Sequence, residues 1–155
     1  MENRFSNEYF EQMATTLTAH EARIDALMEV KKALREQFGC ESEAYEAACD
    51  MYRKANDEFP YTFGQMTALR SWQEWAISDV EVEACESLFN KDVKGFVETL
   101  REAGIKRFWY ARNSTAAVEN FFDFITLGCS FDGVEERTKD NGRFSRTDKG
   151  IWFKL

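Results

Sequence analysis

The sequence predicts an α+β fold: an N-terminal helical hairpin plus a third helix, then an α-β-α-β-β run with a small mixed sheet that ends in a β-hairpin. Three observations carry this reading. Apolar residues recur at steps of three and four from Ser6 to about Phe38, and again from Ser42 to Asn56. Beyond Lys91, helical and two-residue periods alternate within about sixty residues. Near the C-terminus, Asp140-Asn141-Gly142 joins two alternating stretches and is a strong short hairpin signal.

In chain order, the first helix carries Phe10, Met13, Leu17, His20, Ile24 and Leu27, then Leu34 and Phe38 after an interruption at Lys31. Ser6 or Asn7 supplies a cap at its start and Gly39 an end. A second helix from Ser42 shows Tyr45, Ala48, Tyr52 and Ala55 on one face, giving an antiparallel hairpin. Pro60 marks the break after it. Thr62 with Gln65 forms a capping box for a third helix with Met66, Leu69, Trp72 and Ala76, whose Trp75 faces either a partner or the flank of the core. The next helix spans Lys91 to Ala103, buries Val93, Phe96, Val97 and Leu100, and closes at Gly104. A strand over Ile105–Arg112 sets Phe108 and Tyr110 on one side and Trp109 on the other. Ser114 caps a helix through Leu127 that carries Val118, Phe121, Phe122 and Ile125 and stops at Gly128. Strands over Cys129–Thr138 and Arg143–Leu155 follow, with Ile151, Phe153 and Leu155 inward.

With 155 residues, 44% hydrophobic and 31% charged, the chain is sized and composed to fold as one domain, residues 1–155, without metals or disulfides. Within it, residues 1–80 form a helical acidic part and residues 88–155 an α/β part. Residues 1–89 hold 8 Lys+Arg against 18 Asp+Glu, so −10, whereas residues 90–155 hold 12 against 10, so +2. No leader pattern and no membrane-length apolar run is visible, which makes the expected location the cytoplasm. Cys40, Cys49, Cys85 and Cys129 form no CxxC pair and are expected to be reduced thiols.

Catalytic chemistry finds little support. His20 is the single imidazole and lies on an apolar seam, no GxSxG elbow exists, and the eight glycines stand one by one at helix ends and turns, not in a phosphate loop. Carboxylate pairs such as Glu81 with Glu83, and Glu135 with Glu136, arise by composition in so acidic a chain and read as solvated surface. The expectation is therefore no enzyme, no cofactor and no metal.

Two surfaces remain. On the hairpin, Glu21, Asp25, Glu29, Glu36, Glu43, Glu46 and Asp50 represent an acidic face that either keeps the protein soluble or imitates a phosphate backbone toward a basic protein. On the strands, Arg107, Trp109 and Arg112, with Arg143, Arg146 and Trp152, form a basic and aromatic set joined by Lys106, Lys149 and Lys154. If that face is open it makes a platform for bases and phosphates; otherwise the tryptophans pack against helices and the charges rim them.

Glu102-Ala103-Gly104-Ile105-Lys106-Arg107-Phe108, Asn113-Ser114-Thr115 and Thr126-Leu127-Gly128-Cys129 with Gly133 give residues 88–155 a pattern that resembles a family of small uncharacterised proteins from conjugative and other mobile elements of gut Firmicutes. The resemblance implies a genomic setting and no catalytic residues. With the charge asymmetry, it leads to the expectation of a protein-binding inhibitor of a nucleic-acid enzyme, of the anti-CRISPR or anti-restriction type, whose partner is a basic nuclease or nucleic-acid-processing complex. The alternative is an accessory or regulatory factor of element transfer that binds nucleic acid through the strands. No membrane partner is expected, and the long apolar seam suits a homodimer as readily as an intrachain hairpin.

Overall fold

The computed structural model describes residues 5–85, 92–111, 115–140 and 142–155. Among these the fold is α+β, in the order α1 (Glu8–Phe38), α2 (Glu43–Asp57), α3 (Phe63–Trp75), β1 (Ala76–Ser78), β2 (Glu81–Glu83), α4 (Val93–Glu102), β3 (Arg107–Tyr110), α5 (Thr115–Thr126), β4 (Ser130–Asp140) and β5 (Ser145–Lys154). The chain divides into two compact units: Met1–Glu11 with Thr62–Leu155, and Gln12–Tyr61.

The Gln12–Tyr61 unit is an antiparallel helical hairpin. Its antiparallel sense follows from contacts that run in opposite directions along the two helices: His20 meets Phe59 edge-on at 5.2 Å, Arg23 pairs with Glu58 at 2.9 Å, and the Lys31 ammonium lies 4.4 Å over the Tyr52 ring. Lys31, which interrupts the apolar seam, therefore stays on the seam and uses its charge on an aromatic face. Ala48 and Ala55 are buried, Tyr45 and Tyr52 half-buried, and Ser42 caps α2 by accepting the Tyr45 amide at 3.3 Å.

In the larger unit a five-stranded mixed sheet has the order β1-β2-β3-β5-β4, with β2 and β3 parallel and the remaining neighbours antiparallel. The sequence reading missed β1 and β2, which extend the sheet by two short strands. Register sets Phe108 opposite Phe153 and Trp109 opposite Trp152. The core lies on the Phe108 face, where Phe96 of α4 and Phe124 of α5 meet Phe108 at 5.4 and 4.9 Å, and Tyr110 and Phe153 complete the cluster. Phe10 stacks on Trp72 at 5.3 Å, and Asn7 accepts the Phe10 amide while donating to the Ala103 carbonyl. Both α4 and α5 end on glycines at positive φ, Gly104 and Gly128, and the next amides, of Ile105 and Cys129, bond back to Leu100 and Phe124.

Helix α5 turns differently from the reading of its apolar residues. Its buried side chains are Ala117, Asn120 and Phe124, with Phe121 half-buried; Val118, Phe122 and Ile125 face outward at 51%, 70% and 54% exposure. Asn120 is held inside by donating to the Tyr110 hydroxyl at 2.7 Å. The proposed Ser114 cap lies outside the described residues, as does Asn141 of the hairpin turn, in which the Gly142 amide donates to the Asp140 carboxylate at 2.8 Å.

Candidate functional site

Strand alternation places Arg107, Trp109, Trp152 and Lys154 on the sheet face opposite the phenylalanine core. The two tryptophans are 1% and 4% exposed. What covers them is charge. The Arg107 guanidinium lies 4.1 Å over the Trp152 ring, and Arg137 lies 5.1 Å from the Trp109 ring and 5.0 Å from that of Trp152. Lys139 stacks 3.9 Å over Trp75 and also reaches Glu83, so the outer half of the β4–β5 hairpin folds back across this face to the end of α3.

Each of these cations also has a carboxylate. Arg107 holds Glu81 at 2.6 Å and Asp132 at 3.3 Å, Lys154 holds Asp132 at 2.9 Å, and Arg137 reaches Glu135 at 3.3 Å and Glu83 at 3.8 Å. The Trp152 indole donates to Glu135 at 2.6 Å, and that bond, with Arg137, holds the Glu135 carboxyl below the usual carboxylate range. Lys154 and then Arg107 do the same for Asp132. Trp109 is packed so closely on Gly150 that a Cβ there would lie 2.3 Å from its ring, and its indole N–H, like the Nε of Arg137, has no hydrogen-bond partner among the described residues.

This network uses residues that the sequence presented as surface. Glu83 is only 8% exposed and Glu81 is in the same charged layer, contrary to their reading as solvated carboxylates. The available signal was the Glu81-Val82-Glu83 alternation, which puts both carboxylates on the face of Arg107 and Trp109. Of the basic and aromatic set, the structure brings Arg107, Trp109 and Trp152 together. Arg146 lies farther out on β5, bonded to Asp148 at 2.6 Å, and Arg143 is exposed next to the turn. Arg112 falls outside the described residues.

All seven acidic hairpin residues are exposed, and they fall into two sets. At 100° per residue, Glu21, Asp25, Glu29 and Glu36 share a narrow stripe of α1 turned away from its α2-facing seam. Glu21, Asp25 and Glu29 succeed one another at roughly 6 Å along the axis. Glu43, Glu46 and Asp50 form a shorter stripe on α2, opposite its buried alanines. The stripes flank the hairpin and do not merge into one face. Between the helices runs an open groove of about 380 Å³, lined by Ala26, Leu27, Val30 and Met51 with Arg23 and Lys54. His20 sits beside Phe59 at one end of the hairpin, and Cys40 is exposed, Cys49 half-buried, and Cys85 and Cys129 buried, all as free thiols.

Residues 67–152, more than half of the chain, match the family model of a domain of unknown function, DUF7698. No curated protein matches the chain. The match takes in the latter part of α3, the sheet and α5, and leaves out the helical hairpin.

Proposed function

Because the chain belongs to the DUF7698 family and carries outside the matched region a hairpin with two acidic stripes, we propose that it is a non-enzymatic, protein-binding inhibitor of a nucleic-acid enzyme, encoded by a mobile element. The observation that carries the reading is the α1 stripe of Glu21, Asp25, Glu29 and Glu36. Negative charges at a spacing of about one helical turn on a stiff rod offer a basic channel the same attraction and the same release of counterions as a nucleic-acid strand. The hairpin needs no pocket or nucleophile for this role.

The tagged full-length chain, incubated with lysate of a plausible host and washed at low and moderate salt, is expected to retain a basic nuclease or nucleic-acid-processing complex that the higher salt releases. A variant with Glu21, Asp25, Glu29 and Glu36 changed to Gln is expected to lose it. Retention of no such enzyme at either salt, or equal retention by the variant, refutes the proposal. The second reading, a nucleic-acid-binding factor acting through the strands, has weaker support, since Arg107, Arg137, Lys139 and Lys154 already have carboxylate partners.

A further inference from the structure

We infer that a pocket on the hairpin, bounded by Lys31, Lys32 and Arg35 of α1 and by Tyr45 of α2, binds a small organic phosphate ester. The site lies within the Gln12–Tyr61 unit, outside the family-matched region, and does not depend on the inhibitor reading. Its cavity holds about 200 Å³, and Met28 completes the lining. With a water-sized group taking roughly 30 Å³, that is room for a phosphate and a small ring.

Helix geometry brings the cations together. Arg35 follows Lys31 by four residues and Lys32 by three, the two spacings that make side chains neighbours on a helix surface. At 100° per residue Arg35 is half a revolution from Ala26, so the pocket opens on the side of the hairpin away from the apolar groove that Ala26 lines. Like charges at these spacings oppose helix formation. The helix dipole accounts for Arg35, which is in the last turn of α1, and for neither lysine. No carboxylate lines the pocket, and among the described residues Lys32 and Arg35 have no ion-pair partner. Glu29 and Glu36 stand three and four residues from Lys32, yet neither reaches it. In a chain of net charge −8, in which Arg23, Arg53, Arg107, Arg137 and Lys139 each hold a carboxylate, this is a local concentration of positive charge with no internal counter-charge.

The arrangement fits a phosphate ester better than a carboxylate. At neutral pH a phosphate monoester carries close to two negative charges on three acceptor oxygens. The Arg35 fork matches two of those oxygens, and the lysines act as point charges with several donors each. Lys31 keeps such donors while its ammonium rests 4.4 Å over the Tyr52 ring. Tyr45 adds a neutral donor: the Cys49 thiol beside it holds its hydroxyl above the ordinary value, against a weaker downward pull from Arg35, so the proton stays on. The half-buried Tyr45 ring and the exposed Met28 thioether then form an apolar wall for the organic part of the ligand.

The test is calorimetric titration of the full-length chain with phenyl phosphate, inorganic phosphate and benzoate. Phenyl phosphate is expected to saturate one site with a Kd of about 1 mM or below, and to bind at least fivefold more tightly than either of the other probes. Lys32→Gln and Arg35→Gln, at exposed positions, are each expected to weaken it at least fivefold. Lys54→Gln makes the same change of charge on the groove side of the hairpin and is expected to leave binding unchanged. Absence of saturable binding overturns the inference, as does a loss in Lys54→Gln equal to that in the pocket variants, because the attraction is then one of net charge. Equal affinity for inorganic phosphate overturns the ester, and equal affinity for benzoate overturns the phosphate.

Discussion

Removing the carboxylate of Asp92 tests how the helices of the larger unit are anchored. Asp92 precedes α4, and its two oxygens accept the Gly95 amide at 3.0 Å, at the start of α4, and the Gly64 amide at 2.9 Å, at the start of α3. One side chain thus caps two helices. The approach is so close that a Cβ at Gly64 would lie 2.1 Å from the Asp92 carbonyl and one at Gly95 2.3 Å from its carboxylate. A cap contributes about 1 kcal/mol, so Asp92→Ala is expected to cost about 2 kcal/mol and to lower Tm by roughly 4–8 °C in a chain of this size. Asp92→Asn keeps one acceptor and is expected to lie between the two. Burial alone raises the Asp92 carboxyl, but bonds from the Thr62 hydroxyl and the Gly64 and Gly95 amides outweigh it and bring it below its ordinary 3.8. A carboxyl that is lower in the folded state contributes stability above its unfolded range and loses it as pH falls through the folded value. The gap between wild type and Asp92→Ala, followed by thermal melts from pH 7 downward, should therefore be full at neutral pH and narrow below about pH 4. A Tm for Asp92→Ala within about 1 °C of wild type at pH 7, against the several degrees expected, refutes the double cap. So does a gap that does not narrow in acid.

Gly150→Ala forces a methyl into the Trp109 ring and is expected to cost about 1–3 kcal/mol, read as a shift in the urea midpoint without a change in slope. Glu83→Ala leaves Arg137 and Lys139 without that carboxylate, and a loss of about 1–3 kcal/mol in denaturant unfolding is expected, with a smaller loss for Glu83→Gln. Asp132 and Glu135 are both held below the usual range, so their contribution is present above it and fades as pH falls; Asp132→Asn with Glu135→Gln should flatten the acid limb of the Tm-against-pH curve. In gel-shift assays at low salt the wild-type chain is expected to leave DNA and RNA unretarded, and a variant with Glu81, Glu83 and Asp132 changed to their amides is expected to begin retarding them. Retardation by wild type that disappears when Arg107, Trp109 and Arg146 are changed together would instead favour the nucleic-acid reading.

The elements that could be read from sequence are those with a local cause. Thr62 and Gln65 form the capping box at 3.3 and 2.7 Å, Gly104 and Gly128 end their helices, and α4 buries Val93, Phe96, Val97 and Leu100. Strands β1 and β2 escaped because three residues are too few to show alternation, and β2 is defined by parallel pairing with a strand about 25 residues later. Helix α5 was found but its orientation was not. Ala117, Phe121 and Phe124 and the outward Val118, Phe122 and Ile125 satisfy the same 3.6-residue period, and the outward set is the more apolar. The choice between them rests on Asn120, which reads as a surface residue until the Tyr110 hydroxyl ten positions away is brought to it. Burial of Glu83 is likewise nonlocal, since Arg137 and Lys139 lie more than fifty residues further on.

Charge distribution links the two halves of this reading. The sequence is basic only after residue 90, which invites the view that the strands meet phosphate. In the folded chain two of those cations are turned inward: Arg107 and Arg137 cover tryptophan rings, and Glu81, Glu83, Asp132 and Glu135 neutralise them. A phosphate would have to displace a carboxylate already in place and uncover an indole buried to within a few per cent, costs that a surface lysine patch does not carry. On the hairpin the acidic residues stand on the outer sides of both helices, and among the described residues only Asp50 of the seven has an ion-pair partner, Arg53 at 2.9 Å. Exposed pairs of that kind contribute little. The field the hairpin presents to an approaching macromolecule is therefore negative, and it is set by exposed charges that act at a distance, whereas Arg107, Arg137 and Lys139 are committed to covering tryptophan rings.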